Sequence, residues 1–539
     1  MRRIFIIALV FAISLTACAQ TPQESQDIET SNNSTGTIDG TDDPFSNGTE
    51  NPADGTVPNE QTTAPDTTQP SESTTQITTP STQPSTSTTP TDPTPTQPSI
   101  STTPTDPTPT QPSTSTMPTD PTPSGELYID LTAQKSNGSY KTVVIKNNCF
   151  TITEGGTYRV YGTVQNGRIV VDTSKDAKVE LIFDGASVTC SNYAPLYVKQ
   201  ADKVTINLAN GTQNILENGG SFAALDENNV DAALFSKDDI TITGSGSLSV
   251  KSPGGHGITG KDDLTIKGGT ITVNASRHAL EANDSITISG GTLSLTAGED
   301  GIHTENDEDS TLGIYTQNGG TVTVYATDDA VHAVASLTIS SGSLKIEKCF
   351  EGLEAAKIYI KGGNVYVNAA DDGINATAGA DINCYNGEAI ISISGGKTEI
   401  ITQGDALDSN GDLFLSGGEV VCHGPGNTVH GYGTLDFANK AIVTGGRLIA
   451  FTSRGKAFSE DSTQAAFNLN LASMKVKGTP VTVTDANGNV LFSDIAETGF
   501  NCVIVSSPEL TVGSRYTVTV GNTSLEVNQR NLITKANDK

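Results

Sequence analysis

Ile266-Lys-Gly268-Gly269-Thr-Ile271-Thr-Val273 is followed 22 residues later by Ile288-Ser-Gly290-Gly291-Thr-Leu293-Ser-Leu295. The same element returns at Gly319-Gly320, Ser341-Gly342, Gly362-Gly363, Gly395-Gly396, Gly417-Gly418 and Gly445-Gly446, at steps of 29, 22, 21, 33, 22 and 28. The base period is therefore about 22, with insertions near 304–311, 378–388 and 424–440. Apolar residues alternate on both sides of each glycine pair, the pattern of short strands with one buried face. The pair itself marks a bend that needs unusual φ/ψ or close backbone approach. A period near 22 made of short strands, with no helix pattern, predicts a β-solenoid. One coil cannot bury a core alone, so stability comes from stacking. The expected fold is all-β: a right-handed parallel β-helix over 126–450, followed by a small C-terminal β cap or sandwich at 451–539. Within it, 140–235 reads as less regular first coils and an N-terminal cap. Val481 to Val490 reads as a hairpin, and Tyr516 to Val520 as a strand.

The rest of the chain is of a different kind. Met1-Arg2-Arg3 and the apolar run Ile4 to Ile13 lead into Leu15-Thr16-Ala17-Cys18. The run is too short to span a bilayer, and its ending is the lipobox pattern of bacterial lipoproteins, so 1–18 is read as a signal peptide that leaves lipid on Cys18. Residues 19–125 are Thr, Pro, Ser, Gln and Asp with little to bury, and read as a disordered linker. At polyproline spacing its reach is on the order of 300 Å. The expected location is extracellular, lipid-anchored to the cell membrane and exposed at the surface.

The chain has 539 residues, a formal net charge of -30, 54 Gly, 5% aromatics and no Trp. Such a field repels nucleic acid and anionic lipid and attracts cations. An acidic protein that binds an acidic polymer then needs a metal between them. The seven Cys show no C-x-x-C spacing, which gives no support for a zinc ribbon or a redox motif. Apart from Cys18 they read as buried small hydrophobes.

A second element repeats beside the first: an acid or His, then Gly or Ala, then an aliphatic, then another polar residue. Its copies are His256-Gly-Ile-Thr259, His278-Ala-Leu-Glu281, Asp300-Gly-Ile-His303, Asp329-Ala-Val-His332, Glu351-Gly-Leu-Glu354, Asp372-Gly-Ile-Asn375, Asp405-Ala-Leu-Asp408 and Asn427-Thr-Val-His430. A further acid precedes three of them, at Glu299, Asp328 and Asp371. Equivalent residues in successive coils lie about 4.8 Å apart, which makes a ladder of carboxylates and imidazoles. Carboxylates at that spacing repel by roughly 3 kcal/mol at an effective dielectric of about 20. The ladder therefore calls for cations, and oxygen-rich multi-carboxylate sites suit Ca²⁺. The candidate ligands are Asp300, His303, Asp328, Asp329, Glu351, Glu354, Asp371, Asp372, Asn375, Asp405 and Asp408. Two alternatives stand beside this. His303 and His332 could hold a transition metal, or all these residues are solvated turn residues. Both polar positions face outward only if the small Gly or Ala marks a bend.

Several segments resemble a known family. They are Gly155-Gly-Thr-Tyr158, Val179 to Gly185, Ala233 to Asp239, Gly257 to Leu264, Asp371-Asp-Gly-Ile-Asn375, Asp405 to Gly411 and Ser506-Ser-Pro-Glu-Leu510. Together they are similar to bacterial carbohydrate-binding β-helix lipoproteins, whose fold is similar to that of pectate lyases, over about 126–525. The resemblance implies calcium-dependent binding of polygalacturonate and cellulose without demonstrated cleavage. It also implies calcium on the turns carrying Asp300, Asp329, Asp371, Asp372, Asp405 and Asp408. His256 and His278 depart from that pattern in the first two rungs.

A lyase would need a base beside the metal-bound uronate, and no Lys or Arg occupies the repeat positions. Lys237 and Lys261 lie one turn away, each beside an Asp pair, and read as ion-pair partners. Gly255-His256-Gly257 matches a fragment of the polygalacturonase signature, but in reversed order and with no Arg-x-Lys after it. The absence of Trp disfavours a flat crystalline cellulose face. The expected partner is therefore an acidic polysaccharide, with pectate lysis and protein adhesion as the alternatives.

Overall fold

The computed structural model describes residues 126–538 apart from 379–387, 427–432 and 454. These all fall within one compact unit, Thr114–Lys539. Cys18, the linker, Cys384 and Asn427 to His430 lie outside the described residues.

The glycine pairs act as the sequence pattern requires. Gly269, Gly291, Gly342 and Gly363 have φ of 91°, 90°, 91° and 82°, in the region L side chains avoid. The first glycine of a pair is needed for a different reason. A Cβ on Gly268 would lie 2.6 Å from the carbonyl oxygen of Gly244 one coil back. Each pair thus turns the chain between two short strands while letting the next coil lie flat on it.

Three parallel ladders result. One runs through His256–Gly260, Leu280–Ala282 and Ile302–Thr304, and on to Leu407–Ser409 and Leu435–Phe437. A second runs through Asp263–Ile266 and Ser285–Ile288. The third runs through Thr270–Ala275 and Thr292–Ala297. Each strand pairs in parallel with its equivalent one repeat later, so the described chain is all-β and strand-rich, closed around a continuous interior. Ile258, Leu280, Ile302, Val331, Leu353, Ile374, Leu407 and Leu435 stack in register and are buried. They belong to one core cluster running from Ile129 to Ile504. Cys190, Cys349, Cys422 and Cys502 are buried free thiols, whereas Cys149 is only partly buried.

The stack begins with the first described residues. Leu127–Asp130 already pairs in parallel with Gly156–Val164. Antiparallel pairing of Val143–Lys146 with Cys149–Ile152 covers this end. At the other end Phe500–Ser506 runs antiparallel to Lys440–Thr452 and to Ala466–Lys475, which breaks the parallel repeat. The expected hairpin forms between Pro480–Thr484 and Val490–Ile495, within a four-stranded antiparallel sheet that also contains Arg515–Val520 and Thr523–Asn528. This region has its own core, including Phe451, Phe467 and Phe500.

Candidate functional site: a column of acids and imidazoles

The Asp-Gly-Ile-His element sits where the chain enters the first ladder, and its small residue is dictated by packing. A Cβ on Gly301 would collide with Val324 Cγ1 and with the carbonyl of Ala330. The chain therefore bends at the small residue, and both flanking polar side chains reach the same side. Asp300 and His303 meet there, with His303 Nδ1 2.7 Å from Asp300 Oδ2. The fourth positions form a register row through Thr259, Glu281, His303, His332, Glu354, Asn375, Asp408 and Asp436. The first positions also hold the turns. Asp300 Oδ1 accepts the Asp329 N–H at 3.0 Å, and Asp372 Oδ1 accepts the Asp405 N–H at 2.6 Å. One oxygen of each of these carboxylates thus holds a turn.

The rungs have the expected spacing. Imidazole centroids lie 4.9 Å apart from His256 to His278, 4.3 Å from His278 to His303 and 5.1 Å from His303 to His332. Within the column, potential ligand atoms come within 4.8 Å of one another in five sets. These are His256–His278–Glu299, His278–Asp300–His303, Asp300–Asp328–Asp329, Asp329–His332–Glu354 and Asp372–Asp405–Asp408. Glu351 and Asp371 belong to none of these sets. Glu351 instead accepts a hydrogen bond from Asn375 Nδ2 at 2.9 Å, while Asn375 Oδ1 is buried without a hydrogen-bond partner.

The column is electrostatically divided. In the half rich in His, Asp300 pairs with His303 and Asp329 with His332. Burial opposes ionisation of Asp300, but the His303 hydrogen bond and the field of His278 outweigh it and hold this carboxyl below the usual range. Burial likewise opposes charge on His332, yet the Asp329 hydrogen bond and Glu354 raise it to about 9. His256, deeply buried, is pushed down to about 3 and stays neutral. In the acidic half Lys456 offsets the carboxylates only in part. Burial and then mutual repulsion push Asp372 up to about 8, Asp405 to about 7 and Asp408 to about 6. Glu351 is raised to about 7 by burial, Glu354 and Asp371.

One expectation is corrected. The rung after Asp405-Ala-Leu-Asp408 is Gly433-Thr434-Leu435-Asp436, since Leu407 pairs with Leu435 and Asp408 with Asp436. Asn427 to His430 therefore falls in the insertion. The 28-residue step from Gly417 to Gly445 was the signal, since 28 residues on from Asp405 is 433. Basic residues also reach the column, although none occupies a repeat position. Arg277 Nε is 3.1 Å from Glu299 Oε2, Lys261 Nζ is 3.5 Å from Glu281 Oε1, and Lys456 Nζ contacts Asp436. Lys261 is the ion-pair partner expected, whereas Lys237 makes no ion pair among the described residues.

A family model described as carbohydrate-binding domain-containing protein matches residues 146–388. A curated protein of that description from Acetivibrio thermocellus is 44% identical over 197 residues, which span 36% of this chain and 69% of that protein. A solved structure, the gadolinium derivative of the polysaccharide lyase-like protein from C. thermocellum, is similar to 45% of this chain over 93% of its own, at 35% identity and a TM-score of 0.40.

Proposed function

We propose a function from one premise: the chain belongs to the carbohydrate-binding domain-containing protein family. On our reading it is a surface lipoprotein that retains an acidic plant cell-wall polysaccharide, de-esterified pectin or polygalacturonate, through Ca²⁺ and without cutting it. The scaffold of this reading is a right-handed parallel β-helix, the winding favoured for parallel crossovers. Cys18 carries the lipid, and 19–125 is the spacer that lets the module search the wall.

The observation that carries this reading is the Asp372–Asp405–Asp408 set, whose negative charge is only partly compensated. Three carboxyl oxygens lie within 4.8 Å of one another, and Lys456, whose charge reaches Asp405 and Asp408, is paired with Asp436. Burial and neighbouring acids raise their proton affinities, and the charge of Lys456 does not cancel that. The donors are all hard oxygens, as Ca²⁺ prefers, and the orphaned Asn375 Oδ1 lies one rung from Asp408. Asp372, Asp405, Asp408 and Asn375 would hold the ion. The Asp300–Asp328–Asp329 set offers a second all-oxygen group.

A bound Ca²⁺ would supply positive charge to protein carboxylates on one side and uronate carboxylates on the other. Galacturonan carries a carboxylate on every sugar, a spacing of the same order as the coil rise of about 4.8 Å. Several weak bridges in register then add through effective concentration. Cleavage by β-elimination needs a free base beside the bound uronate. Arg277, Lys261 and Lys456 are each already the cation of an ion pair, which favours binding over lysis.

The test incubates the protein with polygalacturonate, methyl-esterified pectin and cellulose, with and without EDTA. Retention of polygalacturonate that EDTA abolishes is the expected result. Release of ultraviolet-absorbing unsaturated uronides would overturn the binding-only reading.

A further inference from the structure

We propose that the first two rungs of the column form a separate transition-metal site, with His256, His278 and Glu299 as ligands and Asp231, which faces His256 from outside that set, moving in as the fourth. This does not depend on the calcium reading, because it uses different residues and a different donor chemistry.

The geometry is that of a site with nitrogen donors. Ligand atoms of His256, His278 and Glu299 lie within 4.8 Å of one another. His278 Nε2 is 3.4 Å from Glu299 Oε2, and His256 Nε2 is 3.7 Å from Asp231 Oδ2. A tetrahedral ion with bonds of about 2.0–2.2 Å places neighbouring ligand atoms about 3.4 Å apart. The protein therefore holds two imidazole–carboxylate edges close to the length such an ion needs, on adjacent rungs whose rings stack at 4.9 Å.

The surroundings supply the remaining parts. Metal-binding imidazoles usually turn their other nitrogen to a carboxylate, which fixes the tautomer and strengthens the ligand. Here Glu281 Oε2 lies 3.5 Å from His256 Nδ1, and Asp300 Oδ2 lies 3.3 Å from His278 Nδ1. His278 Nδ1 also receives the Asp300 N–H at 3.1 Å. A metal on Nε2 would move the ring proton to Nδ1, exchanging the bond accepted from the Asp300 N–H for one donated to Asp300 Oδ2.

Two atoms are otherwise unexplained. His256 is 1% exposed, yet its Nδ1 has no hydrogen-bond partner, and Asp231 Oδ1 is buried without one. Leaving buried polar groups unpaired is costly, and a metal that orients His256 toward Glu281 and engages Asp231 would relieve both. Charge points the same way, since among the described residues the Lys and Arg side chains paired with Asp231, Glu281, Glu299 and Asp300 are Arg277 and Lys261. Arg277 bridges Glu299 and Asp231 at 3.1 and 3.5 Å, but its side chain is 45% exposed and can swing into solvent. Two nitrogen donors favour Zn²⁺, Ni²⁺ or Cu²⁺ over Ca²⁺.

The experiment titrates the full chain with Co²⁺ in excess Ca²⁺, then with Zn²⁺ as competitor. The expected result is one equivalent of Co²⁺ giving an intense visible d–d band that Zn²⁺ displaces. Glu299→Gln, at a partly exposed position, should weaken Co²⁺ at least tenfold with an unchanged circular dichroism spectrum. His278→Gln should abolish the band, Arg277→Ala should tighten binding, and Asp405→Asn should leave it unchanged. Absence of saturable Co²⁺ uptake would overturn the proposal and leave Arg277 as the permanent partner of these carboxylates. Uptake unaffected by both Glu299→Gln and His278→Gln would overturn it equally.

Discussion

Asp405→Asn should change the sign of its effect on stability with calcium. In the metal-free protein Asp405 sits among Asp372 and Asp408, their oxygens within 4.8 Å. Two ionised carboxylates at that distance repel by about 3.5 kcal/mol at an effective dielectric of about 20. Partial protonation, with Asp372 near 8 and Asp405 near 7, already relieves part of this. Removing one charge should then stabilise the metal-free protein at pH 8 by about 1–3 kcal/mol. Asn keeps the side-chain oxygen that receives the Gly433 N–H, so the turn survives. With Ca²⁺ present the same change removes a charged ligand. A tenfold loss of affinity lowers the ligand's contribution to stability by about 1.4 kcal/mol. The assay is urea unfolding in EDTA and in saturating CaCl₂, read with hydrogen exchange at the Gly373 amide, which bonds the Asp405 carbonyl. Equal shifts of the same sign in both conditions would refute the reasoning, because a carboxylate serving only the turn has no reason to respond to calcium.

Other outcomes follow from the same structure. Asp372, Asp405 and Asp408 have folded-state proton affinities above their ordinary values, so the native state binds more protons than the unfolded chain between about pH 4 and 8. Metal-free stability should therefore fall as pH rises through that window, and Ca²⁺ should flatten the slope. His256, pushed down to about 3, acts in the opposite sense below about pH 6.5, and the triple Asp→Asn variant measured in parallel isolates the acidic contribution. Gly342→Ala should destabilise by roughly 1–3 kcal/mol, because φ is 91° and a Cβ would press on the Gly319 and Gly320 carbonyls at 2.6 Å. Thermal unfolding checks this. Cys18→Ala should release the protein from membranes in a fractionation, and undiminished membrane association would contradict the lipobox reading.

Much of the stack was legible because its constraints are local. A glycine pair can be seen in sequence, and both reasons for it, a positive φ and a carbonyl one coil away, act at the residue itself. The outward row from Thr259 to Asp408 was legible for the same reason, since a fixed step maps directly onto a fixed register. The bend that brings Asp300 and His303 together was not. It depends on Val324 packing where a Cβ on Gly301 would go, a contact between segments more than 20 residues apart. The missed rung at Asp436 shows how insertions defeat a periodic reading when the step is carried over from the wrong pair. Arg277, Lys261 and Lys456 approach the column from outside its repeat positions, so no periodicity reveals them. The division into a half where histidines pair with acids and an acidic half only partly compensated depends on burial, which alternation alone does not give.

The most direct measurement of the central claim is the affinity of the full chain for polygalacturonate as a function of free Ca²⁺. Calcium bridges predict that log affinity rises with log free Ca²⁺ at a slope of one or more. They also predict that the triple variant Asp372→Asn, Asp405→Asn, Asp408→Asn flattens that slope while keeping the fold. Affinity independent of free Ca²⁺, or a slope the triple variant preserves, would contradict the account.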